Sequence, residues 1–86
     1  MTNTMMTLDV VISEWRGGVQ AIAGSVGLVG HGRDEADALG SLRRAAEAWG
    51  AALARAGELD RVLAERSVTH DNDPGSGDVT VVLHVG

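Results

Sequence analysis

The stretch that decides the fold is VGLVGHGRDEADALGSLRRAAEAW, residues 26–49. Its first residues form a short apolar strand spaced by glycines, which leads through a turn into a helix that opens at Asp34. The Asp34 carboxylate can accept unpaired amide protons of the first helical turn, and Asp37, three residues further on, gives a spacing like that of a capping box. Glu35 adds a third carboxylate where the positive end of the helix dipole favours negative charge. The stretch therefore predicts a strand, a turn and a capped helix in direct succession.

The helix that opens at Asp34 is predicted to run to about residue 56. Its apolar residues recur three or four positions apart, the spacing of one buried stripe: Leu39, Leu42, Ala46, Trp49 and Leu53. Gly57 suits the position after a helix end, because glycine adopts positive φ at no steric cost. Residues 58–66 then predict a second, shorter helix.

The rest of the chain predicts strands and connections. Four segments have the composition of strands: 8–14, 19–23, 28–32 and 79–85. A hairpin turn over residues 14–18, in which Gly17-Gly18 accepts positive φ at no steric cost, joins the first two of these segments. Residues 1–6 are expected to form a flexible leader, and residues 70–78, which are dense in turn-forming residues, a flexible loop. The order β-β-β-α-α-β predicts a single α+β domain over residues 1–86: an antiparallel three-stranded sheet plus a C-terminal strand, one long helix packed on one face, and a short second helix.

This order of motifs resembles the HicB family, the antitoxins of bacterial HicA–HicB pairs. The family pattern is a strand, a hairpin containing Gly-Gly, a second strand, a corner, a third strand and a helix start of the form Gly-Asp-Thr-hydrophobic-Glu-Glu-Ala-Leu. The corresponding segments here lie within residues 7–57: 8–14, Gly17-Gly18, 19–23, 27–29 and GRDEADAL at 32–39. Asp34 stands where the family has its capping Thr, and Asp37 stands where the family has its second Glu.

The resemblance implies a binding module without chemistry of its own. In the family, the antitoxin binds and occludes a small basic ribonuclease toxin that relies on a histidine, and many relatives add a C-terminal DNA-binding segment. Residues 67–86 hold no helix signal and no basic residue, so the resemblance implies a partial domain that binds a toxin but does not bind DNA directly. The residues expected to contact the toxin lie at the hairpin tip and the helix start: Trp15, Arg16, Asp34, Glu35 and Asp37.

Composition fits a basic protein partner. The chain has 86 residues and a net charge of −5, and its seven basic residues are all arginine. An acidic chain is a poor partner for nucleic-acid phosphates but a natural one for a basic protein, because the two electrostatic fields are complementary. There is no Cys, so disulfides and thiolate chemistry are excluded. Neither a signal peptide nor an apolar run of about 20 residues is present, so we expect a cytoplasmic protein that makes no membrane contact. The use of Arg without Lys, together with abundant Ala and Gly, suggests a bacterial or phage genome.

Catalysis and ligand binding have few candidates in this sequence. GHG at residues 30–32 precedes a helix and could form a phosphate cradle, but Glu35 stands where a dinucleotide fingerprint needs a third small residue. A metal could be held by three residues of the predicted loop, although the spacing of a calcium loop fails: His70, Asp71 and Asp73. The chain has no Cys, Tyr or Lys, and no serine in a nucleophile-elbow context. We therefore expect no enzyme activity, no cofactor and no metal.

Two features favour contact with another chain. Trp15 at the hairpin tip is either folded over the sheet or exposed as an interface anchor. The final strand is apolar on nearly both faces, so it is either central in the sheet or an edge that pairs with another copy. In the second case the chain is an orphan homodimer or higher oligomer with a structural or regulatory role and no toxin. Its interface is then expected to include Val79, Val81, Leu83 and Val85.

Overall fold

The computed structural model describes residues 2–86. Within them the chain forms five strands and two helices in the order β1 (Thr2–Trp15), β2 (Gly18–Ala23), β3 (Leu28–Gly32), α1 (Glu35–Arg55), α2 (Leu59–Glu65), β4 (Thr69–Pro74) and β5 (Val79–Val85). The predicted α+β class is confirmed, and the strand β4 is additional. Both helices begin and end within about two residues of their predicted bounds, which is the ordinary uncertainty of helix ends.

The sheet is built around β1. Residues 11–15 of β1 pair antiparallel with β2, which itself pairs antiparallel with β3. Residues 2–7 pair antiparallel with β4, and residues 4–10 pair parallel with β5. Because residues 4–7 belong to both of these ladders, β4 and β5 flank β1 on opposite sides. The described residues therefore form a mixed sheet of five strands, rather than three antiparallel strands plus one.

Two segments predicted to be flexible are strands. Residues 2–6 of the predicted leader form the start of β1, and Met1 lies outside the described residues. Residues 70–74 of the predicted loop belong to β4, so only residues 75–78 connect it to β5. Each segment is polar and turn-like by itself, but the two are hydrogen-bonded to each other, and strand propensity is set by such neighbours. The predictions of a leader and of a loop are therefore wrong for these residues.

The sheet has one covered face and one open face. Along β1 the even-numbered residues Met6, Leu8 and Val10 are buried, whereas the odd-numbered residues point to the opposite face. On the covered face, α1 contacts β3, β2 and β5, and α2 contacts α1 and β4. We call the other side, formed by the odd-numbered residues of β1 and their cross-strand neighbours, the open sheet face. The core between helices and sheet consists of Met6, Leu8, Val10, Ala21, Ala23, Val26, Ala38, Leu42, Ala46, Leu59, Leu63, Val68 and Val81.

Glycines in β3 allow α1 to lie very close to the sheet. A Cβ on Gly30 would lie 2.4 Å from the Leu42 nitrogen and 2.5 Å from the Ala38 oxygen, and a Cβ on Gly32 would lie 2.4 Å from the Ala38 nitrogen. Both positions therefore require glycine, which is the residue used where two backbones approach closely. The GHG sequence at 30–32 thus has a packing role, and its two glycines face the helix.

The buried stripe of α1 is rotated from the predicted one. Its buried residues are spaced four apart: Ala38, Leu42, Ala46 and Gly50. Three larger residues of the predicted stripe are only partly buried and flank it: Leu39, Trp49 and Leu53. The stripe is mostly Ala and Gly because the close approach of helix and sheet leaves little room, as at Gly50, where a Cβ would lie 2.9 Å from Val79 Cγ1.

Both helices end in the same hydrogen-bond motif. After α1, the amides of Gly57 and Glu58 donate to carbonyls three and five residues earlier, at 3.1 and 2.9 Å, which is the Schellman pattern. After α2, the amides of Ser67 and Val68 make the equivalent bonds at 3.2 and 2.9 Å. This motif needs one residue with a left-handed backbone conformation. At the end of α1 that residue is Gly57, with φ +72°, whereas at the end of α2 it is Ser67, with φ +55°.

Ser67→Gly is expected to raise the free energy of unfolding by about 0.5 to 1 kcal/mol. A left-handed conformation costs a non-glycine residue about 1 to 2 kcal/mol, and the greater freedom of glycine in the unfolded chain offsets only part of this gain. Gly57→Ala makes the reverse change at the matching position and should lower stability by about 1 kcal/mol. Urea unfolding followed by circular dichroism measures both variants. A less stable Ser67→Gly variant would contradict the left-handed backbone at this residue.

Candidate protein-binding site

The hairpin between β1 and β2 ends in a two-residue turn. Trp15 pairs with Gly18, and the two residues between them, Arg16 and Gly17, have φ of +50° and +78°, as in a type I′ turn. The turn therefore lies within the predicted residues 14–18, but the residues with positive φ are Arg16 and Gly17 rather than the expected Gly17 and Gly18. Gly18 is required for a different reason, because a Cβ there would lie 2.6 Å from the Gly32 carbonyl oxygen.

Three side chains cluster at this hairpin tip. The Trp15 ring stacks on the His31 imidazole, with 4.1 Å between the ring centroids and 23° between the ring planes. The Arg16 guanidinium lies 5.0 Å from the indole centroid, within reach of a cation–π interaction. Trp15 is nevertheless 41% exposed. The indole therefore rests against the sheet on one side and presents apolar surface on the other, so each of its two predicted alternatives describes part of its position.

A row of hydrogen bonds across three strands orients His31. The side-chain amide nitrogen of Gln20 on β2 donates to the Ser13 hydroxyl on β1 at 3.1 Å. The Gln20 amide oxygen then lies 3.3 Å from His31 Nε2 on β3, where it can accept a hydrogen bond from that nitrogen. His31 is absent from the contact residues predicted from the sequence, since its position beside Trp15 follows only from the register of β1, β2 and β3.

The helix start is capped as predicted. The Asp34 carboxylate accepts a hydrogen bond from the Asp37 amide at 2.8 Å. Asp37 Oδ2 accepts one from the Arg33 amide at 3.2 Å and lies 3.8 Å from Arg33 Nε. Glu35 is exposed. Capping therefore accounts for Asp34 and Asp37 within the chain itself, while all three carboxylates remain at the surface.

A shallow cleft joins the hairpin tip to the helix start. It has a volume of about 380 Å³ and is lined by Trp15, Arg16, Gly17, Gly18, His31, Gly32, Arg33 and Asp37. We call it the tip cleft. Three of the five residues predicted to contact a partner meet in its lining: Trp15, Arg16 and Asp37. The other two, Asp34 and Glu35, lie beside it at the start of α1.

A larger cavity, of about 870 Å³, lies near the beginning of β1 and the C-terminal part of α1. The hydroxyl of its buried Thr4 donates to Asn72 Oδ1 at 2.8 Å. Next to it, the amides of Gly77 and Asp78 each donate to Asn3 Oδ1 at 3.1 Å. These polar groups serve the fold, and the residues predicted to contact a partner lie elsewhere, so the tip cleft remains the candidate site.

The three residues weighed as metal ligands do not converge. His70 points toward α2, with its Nε2 3.9 Å from Asp60 Oδ1. Asp71 and Asp73 pair with the odd-numbered residues Met5 and Asn3, so they point to the open sheet face. Among residues 2–86, no three His, Cys, Asp or Glu side chains lie close enough together to hold a metal ion.

The residues predicted as an oligomer interface lie on β5. Val81 is 2% exposed, and Val79 and Leu83 pack against the core. The Arg43 guanidinium on α1 also donates to the Val81 carbonyl. Of the four predicted interface residues, only Val85 is well exposed, so the side chains of this strand mainly complete the core of a single chain.

No protein-family model matches this chain, and neither does any curated protein or solved structure. The likeness of residues 7–57 to the HicB pattern therefore rests on the residues that carry it. In the described part of the chain, neither helix is long and apolar enough to cross a membrane.

Proposed function

We propose that this chain is a non-catalytic binding module that resembles the HicB antitoxins and neutralises a small basic ribonuclease in the bacterial cytoplasm. The observation that carries the proposal is the tip cleft, in which an exposed tryptophan, an arginine and a carboxylate meet on one surface. The proposal includes no direct contact with DNA. It also includes no chemistry by the module, whose part is to cover the toxin.

The tip cleft has the composition of an interface centre. Trp and Arg are among the residues most enriched at positions that dominate binding energy. Trp offers a large contact surface with few rotatable bonds, and Arg offers several hydrogen-bond donors in a planar group. Trp15 is held in place by its stack on His31 and by Arg16. A preorganised anchor loses little entropy on binding, which favours affinity.

The acidic surface beside the cleft suits a basic partner. Asp34, Glu35 and Asp37 are all exposed at the N-terminus of α1, and the whole chain carries −5. Complementary charge around an anchored interface raises the association rate and disfavours acidic competitors. We therefore expect the affinity for the basic partner to fall as the salt concentration rises.

Neutralising the helix start is expected to weaken partner binding about tenfold or more, mainly through slower association. Asp34→Asn, Glu35→Gln and Asp37→Asn in one chain remove three charges but keep an oxygen acceptor for each capping bond. The control chain removes three exposed charges near α2, far from the cleft: Glu58→Gln, Asp60→Asn and Glu65→Gln. In the same titration Trp15→Ala tests the anchor and should weaken partner binding about 30-fold or more.

The partner for these titrations is first isolated with the tagged full chain from its native host at physiological salt. A stoichiometric small basic protein, bound more weakly by the Asp34/Glu35/Asp37 variant than by the Glu58/Asp60/Glu65 control, would support the proposal. Equal binding by both chains and by Trp15→Ala would reject the tip cleft as the site. Recovery of further copies of this chain alone would instead favour the alternative, an orphan homo-oligomer with a structural or regulatory role.

A further inference from the structure

Within residues 2–86, β5 pairs only with β1, so no strand covers its outer edge. At the beginning of this ladder the Thr4 amide donates to the Asp78 carbonyl. At its other end the Gly86 amide donates to the Val10 carbonyl, so the even-numbered residues of β5 direct their backbone groups toward β1. Because this direction alternates along a strand, the odd-numbered residues direct theirs outward, where a further strand would pair.

Features that usually protect an exposed edge are missing from β5. Natural edge strands are very short, are interrupted by a bulge, or carry Pro or Lys. In contrast, β5 is a regular strand of seven residues, VTVVLHV, whose ladder with β1 continues without a bulge from Val79 to Val85. The Arg43 guanidinium on α1 covers one carbonyl of the edge, that of Val81. The amide and carbonyl of Val79 and the amide of Val81 point outward on the same edge and are available to a ligand.

The cavity of about 870 Å³ lies beside this part of the edge, between two elements that pack against each other, α1 and β5. Its lining on these elements includes Glu47, Ala51, Ala54, Val79 and Thr80. Arg43, one helical turn before Glu47, reaches across to β5 and closes the cavity at Val81. The alanines on the helix side leave room for the side chains of a ligand. We call this cavity the edge groove.

We propose that the edge groove binds an extended, basic peptide segment of another protein, which adds a strand to the outer edge of β5. The peptide backbone pairs with the open groups of Val79 and Val81, and such pairing supplies affinity whatever the peptide sequence. Alternate side chains of the peptide then enter the groove beside α1, where the alanines favour apolar residues. The edge groove lies at the beginning of β1 and the tip cleft at its end, so this inference does not depend on the function proposed above.

The charge of the edge groove favours a basic peptide. Three carboxylates belong to its lining, those of Glu47, Asp60 and Asp78, against one arginine, Arg55. Three negative charges and one positive charge give −2, and Arg43 at the closed end reduces this to −1. Within residues 2–86, neither Glu47 nor Asp78 takes part in an ion pair. Both carboxylates are therefore available to a Lys or Arg of the peptide.

Other occupants fit the edge groove less well. A nucleic acid would meet these carboxylates with its own phosphates, which require clustered cations. A second copy of this chain could pair its own β5 with the edge, but VTVVLHV contains no Lys or Arg to meet the carboxylates. A basic peptide from another protein satisfies both the open backbone groups and the negative charge.

A displayed library of random nonapeptides, selected on the full-length chain, tests the proposal. We expect the enriched peptides to alternate apolar and polar residues and to contain Lys or Arg. A synthetic copy of the most enriched peptide is then added during native-state hydrogen exchange. Exchange of the Val79 and Val81 amides should become about tenfold slower or more, because both gain a hydrogen-bond partner. The Thr80 and Val82 amides, which point toward β1, are the internal control and should change much less.

Glu47→Lys should weaken binding of the same peptide about tenfold or more, because it reverses a charge of the groove. Glu14→Lys makes the same change near the other end of β1 and is the control. Failure to enrich basic peptides, equal binding by both variants, or unchanged exchange at Val79 and Val81 would each overturn the proposal. Slower exchange at these two amides when the chain alone is concentrated would identify a second copy as the occupant and would also overturn it. Loss of peptide binding in Trp15→Ala would place the peptide in the tip cleft instead.

Discussion

Gly30→Ala is expected to lower the free energy of unfolding by about 3 kcal/mol or more. The added Cβ would lie 2.4 Å from the Leu42 nitrogen and 2.5 Å from the Ala38 oxygen, and neither backbone atom can move unless α1 moves. A shift of α1 away from β3 would loosen the packing of Leu42 and Ala38, which are fully buried. Urea unfolding followed by circular dichroism measures the effect as a lower midpoint at an unchanged slope.

Gly40→Ala is the matched control for this prediction. It adds the same methyl group within α1, where the new carbon would lie 3.6 Å from Arg44 Nη1, at an ordinary van der Waals distance. Because alanine favours a helix over glycine, this variant should gain about 1 kcal/mol. If the free energy of unfolding falls in Gly30→Ala and rises in Gly40→Ala, the loss in Gly30→Ala is due to the close approach of α1 to β3 and not to a general effect of an added methyl group. If Gly30→Ala unfolded at the wild-type urea concentration, α1 could not lie as close to β3 as described.

The helix bounds could be predicted from the sequence because each end depends on nearby residues. Asp34 caps α1 through a bond to an amide three residues away, and Gly57 ends it through its left-handed backbone. Alternation within residues 8–14 likewise puts Leu8 and Val10 on the same side of the strand, and both are buried on the covered face. In each case the atoms that decide the structure lie within a few residues of one another, so the local pattern contains the information.

Strand β4 could not be predicted because its pairing is not local. Residues 69–74, THDNDP, have the composition of a turn, and residues 2–6 have that of a polar leader. Each becomes a strand by bonding to the other, and the side-chain bond from Thr4 to Asn72 spans 68 residues. A propensity argument treats each segment by itself and therefore misses both.

The tip cleft could be predicted only in part, because some of its residues are placed by local sequence and others by strand pairing. Trp15 and Arg16 directly precede Gly17-Gly18 in the sequence, so their place on a hairpin follows from turn chemistry. His31 is 16 positions from Trp15 in the sequence, and its stacking depends on the register of three strands. Gly30 and Gly32 suggested a turn or cradle because a sequence does not reveal how near a helix will pass to a strand.

Leu63→Ala is expected to lower the free energy of unfolding by about 2 to 5 kcal/mol. The accompanying loss of protection from amide hydrogen exchange should be concentrated in α2 and β4. Leu63 is fully buried, and with Leu59 and Val68 it joins this region to the core. A helix of seven residues has too few internal hydrogen bonds to be stable alone, so α2 remains helical only while it is packed. Within the described residues β4 pairs only with β1, so we expect it to open together with α2. Native-state hydrogen exchange measures the two elements separately.

Val62→Ala is the control in the same helix, because Val62 is only half-buried and its truncation should cost about 1 kcal/mol. The amides of β2 and β3 provide the internal reference, since α1, and not α2, packs on those strands. In Leu63→Ala, exchange should become faster in residues 69–74 while β2 and β3 keep their protection. Equal loss in every strand would mean that α2 and β4 open only when the whole chain unfolds. Leu63 would then belong to a single cooperative core, and α2 and β4 would not unfold as a separate local unit.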